Sequence, residues 1–548
     1  MSCSVHVCLS ALALTATVVS GDAASAACDE QALRVVVFND NGAWSWFEDE
    51  RALIDPVAGT LLVSSVADAA GSDGPARDGN VELVAYDLVS EEVDRVVLHA
   101  GLEADDHDSA ALYVRADGRY LAMYSRHATD AASRWRVTRD PADPTVWKPE
   151  STIEHVANAS YSNLSPGFDG NEGVLYAFVR SAGRDPHLLV SRDDGSTWEH
   201  GGRLLDGPGR PYVRYVADHF GRVHLVTTEQ HPDDYANGIY YGVVTHNQLL
   251  RADGAVVDTD LGDTRAAGPE QLTKLFAGDA FLRTWTLDLQ VDSAGYPYAA
   301  FSVHSRADGH RYYYARFDGV DWHVHPMARA GSALYDAQPH YTGLVALHPN
   351  DPNRVFVSTD VHPLTGVPLV SDGDRRQHHE LFEGVTADGG VTWSWYPVTR
   401  DSTADNIRPI VPVWDVGHTA LLWLRGTYST YENYDLDVVG IVTSGTAVAA
   451  PDRGVIRCGA AQFESATASP LRTGRSESAH CVDLWRSSIP VASGGRAGQE
   501  FTTPVRPRQT SVRRRARTRQ RCPEPAAPLA PRPSGAGRRR LPSTLRRR

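Results

Sequence analysis

The chain has 548 residues and a formal net charge of −15, with 46 Gly, 32 Pro, 22 Tyr and 12 Trp. Turn formers together with aromatics favour strands over helices, and no internal apolar run is long enough for a membrane helix. Residues 451–548 hold 21 Arg, no Lys and 6 acidic residues, a net +15, which leaves −30 on residues 1–450. That acidic body, whose only lysines are Lys148 and Lys274, argues against non-specific nucleic-acid binding. An anionic ligand would need a local cluster of Arg and His.

Taken in chain order, the apolar run "LSALALTATVV" precedes Ala24-Ser25-Ala26, the small residues of a cleavage site. Residues 1–27 therefore read as a signal peptide, and the protein as secreted or periplasmic. Cys28 is a weak candidate for lipid modification, because Ser25 starts that motif poorly. The six cysteines stand at 3, 8, 28, 458, 481 and 522, so residues 29–457 carry neither disulfides nor cysteine metal ligands.

Residues 28–450 have one texture. Short alternating strands such as "VELVAYDLV", "HLLVSRDDGSTW", "YPYAAFSVH" and "RVFVSTDV" are separated by Asp-Gly and Asn-Gly turns. "PEQLTKLFAG" (269–278) is the best helical candidate. The repeat "SRDDGSTW" (191–198) matches the S-x-D-x-G-x-T-W pattern called an Asp box, and "TADGGVTW" (386–393) nearly copies it. "RFDGVDW" and "RDPADPTVW" are partial relatives, ending at Trp322 and Trp147. The Asp and Gly make a tight turn between outer strands, and the Trp packs beneath it. Such repeats mark propeller blades, and about 420 residues at ~40–60 per blade give roughly seven. The predicted fold is all-β, a seven-bladed β-propeller. If 438–445 completes the last blade, the ring closes before the tail begins.

One stretch carries chemistry. "DDHDSAALYVRADGRYLAMYSRH" (105–127) reads as a hairpin with Ala116-Asp117-Gly118 as its loop. Paired positions then sum to 234, which sets His107 opposite His127 at the open end. Two facing imidazoles suggest a site. Asp105, Asp106 and Asp108 read as turn and solvation groups. They lack the spacing of a helix–loop–helix calcium site.

From about Gly459 the pattern collapses into Arg, Pro and Ala. Residues 451–548 read as a disordered tail, one a frameshift could produce, in preference to a basic binding tail.

The segments "GAWSWFEDERALI", "DDHDSAALYVRADGRYLAMYSRH", "RPYVRYVADHFGRVHLVTTEQHPDDYANGIYYG" and "STADNIRPIVPVWD" resemble the BNR-4 repeat proteins. Within that group the chain is similar, over about 35–445, to the ulvan lyases of polysaccharide lyase families 24 and 25. The resemblance implies a lyase acting by β-elimination on an anionic polysaccharide with a 4-linked uronic acid. It implies His107, Tyr161 and Arg180 as catalytic residues, and His127, Arg210, Tyr212, Tyr215 and His231 as substrate-binding residues. Arg180 would neutralise the uronate carboxylate, His107 as a neutral imidazole would take the C5 proton, and Tyr161 would protonate the leaving oxygen. His127 would orient His107 or bind the carboxylate. No cofactor is needed for that chemistry; a structural calcium or zinc ion is compatible with it, its ligands unassigned. A monomer is expected.

Each residue also has a plainer reading. Tyr161 could cap a blade edge, Arg180 could pair with a loop carboxylate, and His231 and His340 could be loop or core histidines. Two rival functions stand beside the lyase. A sialidase-like glycosidase could draw on Arg180, Arg283, Arg408 and Arg425, though an Arg-Ile-Pro motif is missing near "VVVFNDNGAW". A noncatalytic sugar-binding propeller would expose aromatics such as Trp44, Trp46 and Tyr428. Convergence of His107, Tyr161 and Arg180 in one cleft separates the lyase from the binding module.

Overall fold

A computed structural model describes residues 34–263 and 265–444. The signal peptide and the Arg/Pro-rich tail expected from the sequence lie outside the described residues. Strands dominate and form seven antiparallel sheets arranged as a seven-bladed propeller. The first strand of each blade is innermost. These inner strands are Ala52–Asp55, Ala111–Val114, Ser160–Phe168, Val213–Ala217, Leu282–Val291, Val345–Leu347 and Asp405–Ile410. Each packs beside the next. Six blades have four strands; the fourth has six, three of them the short strands Gln248–Leu250, Val256–Asp258 and Thr273–Phe276.

Blades bury both faces against their neighbours, so their middle strands lose the polar/apolar alternation of a half-exposed sheet. Tyr120–Ser125 ("YLAMYS") is buried at every position. The ring closes at the seventh blade, where Val36–Asn39 adds the outermost strand against Asn433–Ser444. The segment expected to complete the last blade does so, as far as Ser444.

The Asp boxes sit between the third and fourth strands of the third and sixth blades. The Asp193 carboxylate accepts from Ser191 Oγ at 2.9 Å, Thr197 N at 2.8 Å and Thr197 Oγ1 at 2.6 Å. Asp388 accepts from Thr386 Oγ1, Thr392 N and Thr392 Oγ1 at 2.9, 2.9 and 2.6 Å. Gly195 takes φ +83° and Gly390 φ +97°, the region that glycine enters at no steric cost.

One expected element changes type. The stretch 269–278 is a single 3₁₀ turn, Pro269–Gln271, followed by the strand Thr273–Phe276. Proline starts a turn readily, but the residues after it pair with Ile239–Thr245 instead of propagating a helix. No described helix is long and apolar enough to cross a membrane.

The sequence "WSWFEDER" (44–51) runs through the interior. Trp44 and Trp46, expected as exposed sugar platforms, are buried, and the Arg408 guanidinium lies 3.4 Å from the Trp46 ring centroid. Arg51 is fully buried; it meets Glu48 at 2.9 Å and donates to Ser162 O at 2.8 Å. Ser109 Oγ donates to Glu48 at 2.8 Å, while Asp49 accepts from Leu164 N at 3.0 Å. This segment thereby links the turn before the second blade to the inner strand of the third.

Candidate active site

The hairpin register is the one the sequence dictates. Ala111 pairs with Met123, Leu112 with Ala122 and Tyr113 with Leu121. Beyond the paired strands, Asp106–Asp108 forms a 3₁₀ turn that Asp105 caps, accepting from His107 N at 3.0 Å. The rings of His107 and His127 stack with centroids 3.8 Å apart and an interplanar angle of 17°.

Asp105 binds both imidazoles. One oxygen accepts from His107 Nδ1 at 2.6 Å, the other from His127 Nδ1 at 2.9 Å. His107 Nδ1 also lies 3.1 Å from Asp106 Oδ1. Burial opposes a charge on His107, but the two carboxylates outweigh it and raise its pKa to about 10. Burial and then the His107 charge lower that of His127 to about 4. The neutral imidazole expected at His107 is therefore found at His127. With Nδ1–H donating to Asp105, the lone pair of neutral His127 sits on Nε2, where only the long Arg180 contact meets it. Although burial works against its charge, the two histidines hold Asp105 far below the usual carboxylate range.

The three acidic neighbours are not solvated turn groups, as the sequence suggested. Asp105, Asp106 and Asp108 are all buried. The turn tucks inward because Asp106 finds Arg408 at 2.7 Å and the Tyr428 hydroxyl at 2.9 Å, both from the seventh blade. Tyr428 is accordingly buried and is not an exposed platform. Burial, then the charges of Asp105 and Glu103, raise the pKa of Asp108 well above the usual range.

Tyr161 and Arg180 come from the third blade. Ser160 pairs with Arg180, and the register shifts between Ser160 and Asn163. Tyr161 occupies that bulge with φ +62°. A non-glycine residue in this region costs ~1–2 kcal/mol, and bulges re-aim side chains. Here the bulge turns the phenol ring to within 5.5 Å of His107 and 6.2 Å of His127, centroid to centroid. Burial, opposed by Arg180, raises the Tyr161 pKa, so the hydroxyl keeps its proton.

The Arg180 guanidinium lies 4.6 Å from the Tyr161 ring centroid and 5.4 Å from that of Tyr212. Its Nη2 donates to His127 Nε2 over a long 3.4 Å, and its Nη1 is buried without a partner. Among the described residues no carboxylate pairs with it. Arg180, His127 and Asp105 line a cleft of about 230 Å3, together with Glu103, Arg184, Arg210, Tyr431 and Glu432.

The remaining expected residues divide. Arg210 lines the cleft, with Asp234 3.6 Å away. Tyr212 lies behind Arg180, against Phe47 and Trp285. His231 is buried behind Tyr212, 4.7 Å from Trp285 by ring centroids, and burial first, then Arg210, lower its pKa to about 3. Tyr215 does not line that cleft: its ring stacks on Phe178 at 4.0 Å between blades, beside a small cavity it shares with Tyr161, Arg180 and Tyr212. The sequence reading missed Tyr431, whose ring meets both histidines edge-on at 5.4 and 5.6 Å. It also missed Arg408 and Asp106 as partners. Their separation of 302 positions leaves no local signal.

Asp105, His107 and His127 also form the one group of described residues that brings three potential metal-ligand atoms within 4.8 Å of one another. Both Nδ1 atoms already face Asp105, so the group is satisfied as a hydrogen-bonded relay.

Residues 75–330 match the family model described as BNR repeat-containing family member. No curated protein sequence matches the chain. Among solved structures, the chain is similar to a polysaccharide lyase of family 25, an ulvan lyase bound to -[GlcA(1-4)Rha3S]-, at 13% identity and a TM-score of 0.53, covering 76% of this chain and 98% of that one. A second structure of a family 25 ulvan lyase gives 13% and 0.52 over the same shares. The polysaccharide lyase Uly1 gives 11% identity and 0.48, covering 72% of this chain and 90% of that one.

Proposed function

We propose that this protein is a polysaccharide lyase that cleaves a 4-linked uronic-acid polymer of the ulvan type by β-elimination. The observation that carries this reading is Arg180, a buried guanidinium with no carboxylate partner and one unbonded nitrogen, beside a neutral imidazole and a protonated phenol. A buried cation without a counter-ion is costly, and an incoming carboxylate relieves that cost. The ulvan lyase likeness in fold supports the same reading.

The arrangement of these groups supports the following steps. The uronate carboxylate pairs with Arg180, which acidifies the C5 proton by stabilising the enolate that forms. The carboxylate takes over the guanidinium and releases His127 Nε2 from its long contact. The substrate's negative charge also raises the low His127 pKa toward working pH. His127 takes the C5 proton, and the C–H electron pair becomes the C4=C5 double bond. The C4–O4 bond breaks, and Tyr161 gives its proton to O4. Asp105 fixes the His127 tautomer throughout. His107 remains cationic and orders Asp105. In this scheme His127 takes the base role first assigned to His107.

The test is to incubate the full-length protein with ulvan and follow near-ultraviolet absorbance of the unsaturated uronate. A rise that Arg180→Ala abolishes is expected. No rise on ulvan or on other uronic-acid polymers would overturn the reading.

A further inference from the structure

A second cleft, of about 260 Å3, is lined by Asp233, Phe281, Arg283, His304, Arg306 and His340. It is formed by the loop between the second and third strands of the fourth blade, the first two strands of the fifth, and the loop that leaves the fifth. Its charge is unusual for this body. Arg283 donates to the carbonyls of Pro232 and Asp233, the latter at 2.8 Å, and so is held rigidly without being neutralised. Arg306 is exposed, and among the described residues no carboxylate pairs with either arginine. The lone acid of the wall, Asp233, is 2.6 Å from His340 Nδ1. His304 Nδ1 and His310 Nε2 share a hydrogen bond at 2.8 Å, which fixes the His304 ring in the wall. Phe281 lines the cleft and is 69% exposed, so its ring face is open to a ligand seated there.

The two clefts share a partition. His231–Asp234 lies between them: Asp234 faces Arg210 of the first cleft, and the carbonyls of 232 and 233 hold Arg283 of the second.

We propose that this second cleft is a distal subsite for an acidic sugar of the same polysaccharide chain, its carboxylate or sulfate ester held by Arg283 and Arg306 and its ring stacked on Phe281. Guanidinium forks suit both anions, and an aromatic face suits the apolar side of a pyranose. The assignment rests on the lyase reading for the identity of the polymer, but its test does not depend on turnover.

The measurement compares the full-length protein with the double variant Phe281→Ala/Arg306→Ala, both side chains being exposed enough to remove without opening the core. Binding of ulvan tetrasaccharide and octasaccharide is measured by calorimetry, in a Tyr161→Phe background so that ligand is not consumed. The double variant should bind octasaccharide about tenfold more weakly, as the loss of one charge-assisted contact and one stacking face implies, with tetrasaccharide unchanged. In the active protein the KM for polymer should rise with kcat within about twofold. Desulfated and carboxyl-reduced octasaccharides then identify the anion, because the variant's deficit should vanish with whichever group is removed. A deficit equal for both lengths, none for either, or one unaffected by removing both anions would overturn the subsite. If the wild type releases no unsaturated uronate yet the octasaccharide deficit appears, the lyase reading fails and the subsite stands.

Discussion

Two kinds of aspartate turn in this molecule have opposite fates. At the Asp boxes, Asp193 and Asp388 lie near the surface, and every group they bind is within four residues in the chain. At the turn before the second blade, Asp105, Asp106 and Asp108 are buried, and the partners of Asp105 and Asp106 come from up to 322 residues away. The residue type is the same. The local turn satisfies its own backbone and needs no tertiary help, so it stabilises a blade edge and can do little else. The buried turn depends on distant partners to hold its carboxylates inside, where Asp105 and Asp106 charge His107 and the His107 charge keeps His127 neutral.

The comparison breaks most sharply at Asp105. Asp105→Asn should lower kcat/KM on a uronic-acid polymer by about 10³-fold, because the His127 tautomer and the His107 charge are set together through one carboxylate. Circular dichroism should stay native, and a loss below tenfold would separate the relay from catalysis. Next comes Arg408→Met, which strands Asp106 as a buried anion. It should destabilise the protein by about 3–5 kcal/mol in denaturant unfolding, whereas a surface ion pair would give under ~1.

The pH dependence of stability sharpens the contrast. The His107 pKa is raised from 6.5 to about 10, so its ion pairs stabilise fully below pH 6.5, and that contribution is lost as pH rises through about 10. Melting temperature should therefore fall between those values in the wild type and less so in His107→Gln. Asp388 has the opposite sign. Its hydrogen bonds to Thr392 hold its pKa at about 2, so its contribution is present above the ordinary carboxylate range and is lost as pH falls toward 2. The smallest effect is Asp193→Ala, which should cost about 1 kcal/mol of stability and leave kcat unchanged. A change in kcat would show that the box reaches the cleft.

The same division explains what could be read in advance. Blade number, Asp boxes and the hairpin register are local, written in turn residues and in a period of two. They place His107 and His127 together without any knowledge of the rest of the chain. Tyr161 and Arg180 needed a resemblance, because the bulge that aims Tyr161 has no sequence mark: its φ of +62° is borne by a tyrosine where a glycine would have signalled it. Tyr215 was misplaced for a related reason. In "RPYVRY" two tyrosines stand three apart, and only the strand's pairing decides that one supports Arg180 while the other packs on Phe178. The burial of Asp106 beside the histidines depends on Arg408 and Tyr428, which the sequence keeps about three hundred positions away.

Ring closure has a consequence for biosynthesis. Asp106 N donates to Tyr431 O at 3.0 Å, and the strand that carries the chain's first described pairing, Val36–Asn39, waits for Asn433–Ser444. A chain emerging from the ribosome exposes its histidine pair early, but it acquires the partners of Asp106 only when the last blade has been made. The surroundings of Asp106 are thus complete only with the final blade, and a product cut short before residue 408 would carry the histidines, the tyrosine and Arg180 yet leave Asp106 without its Arg408 counter-charge.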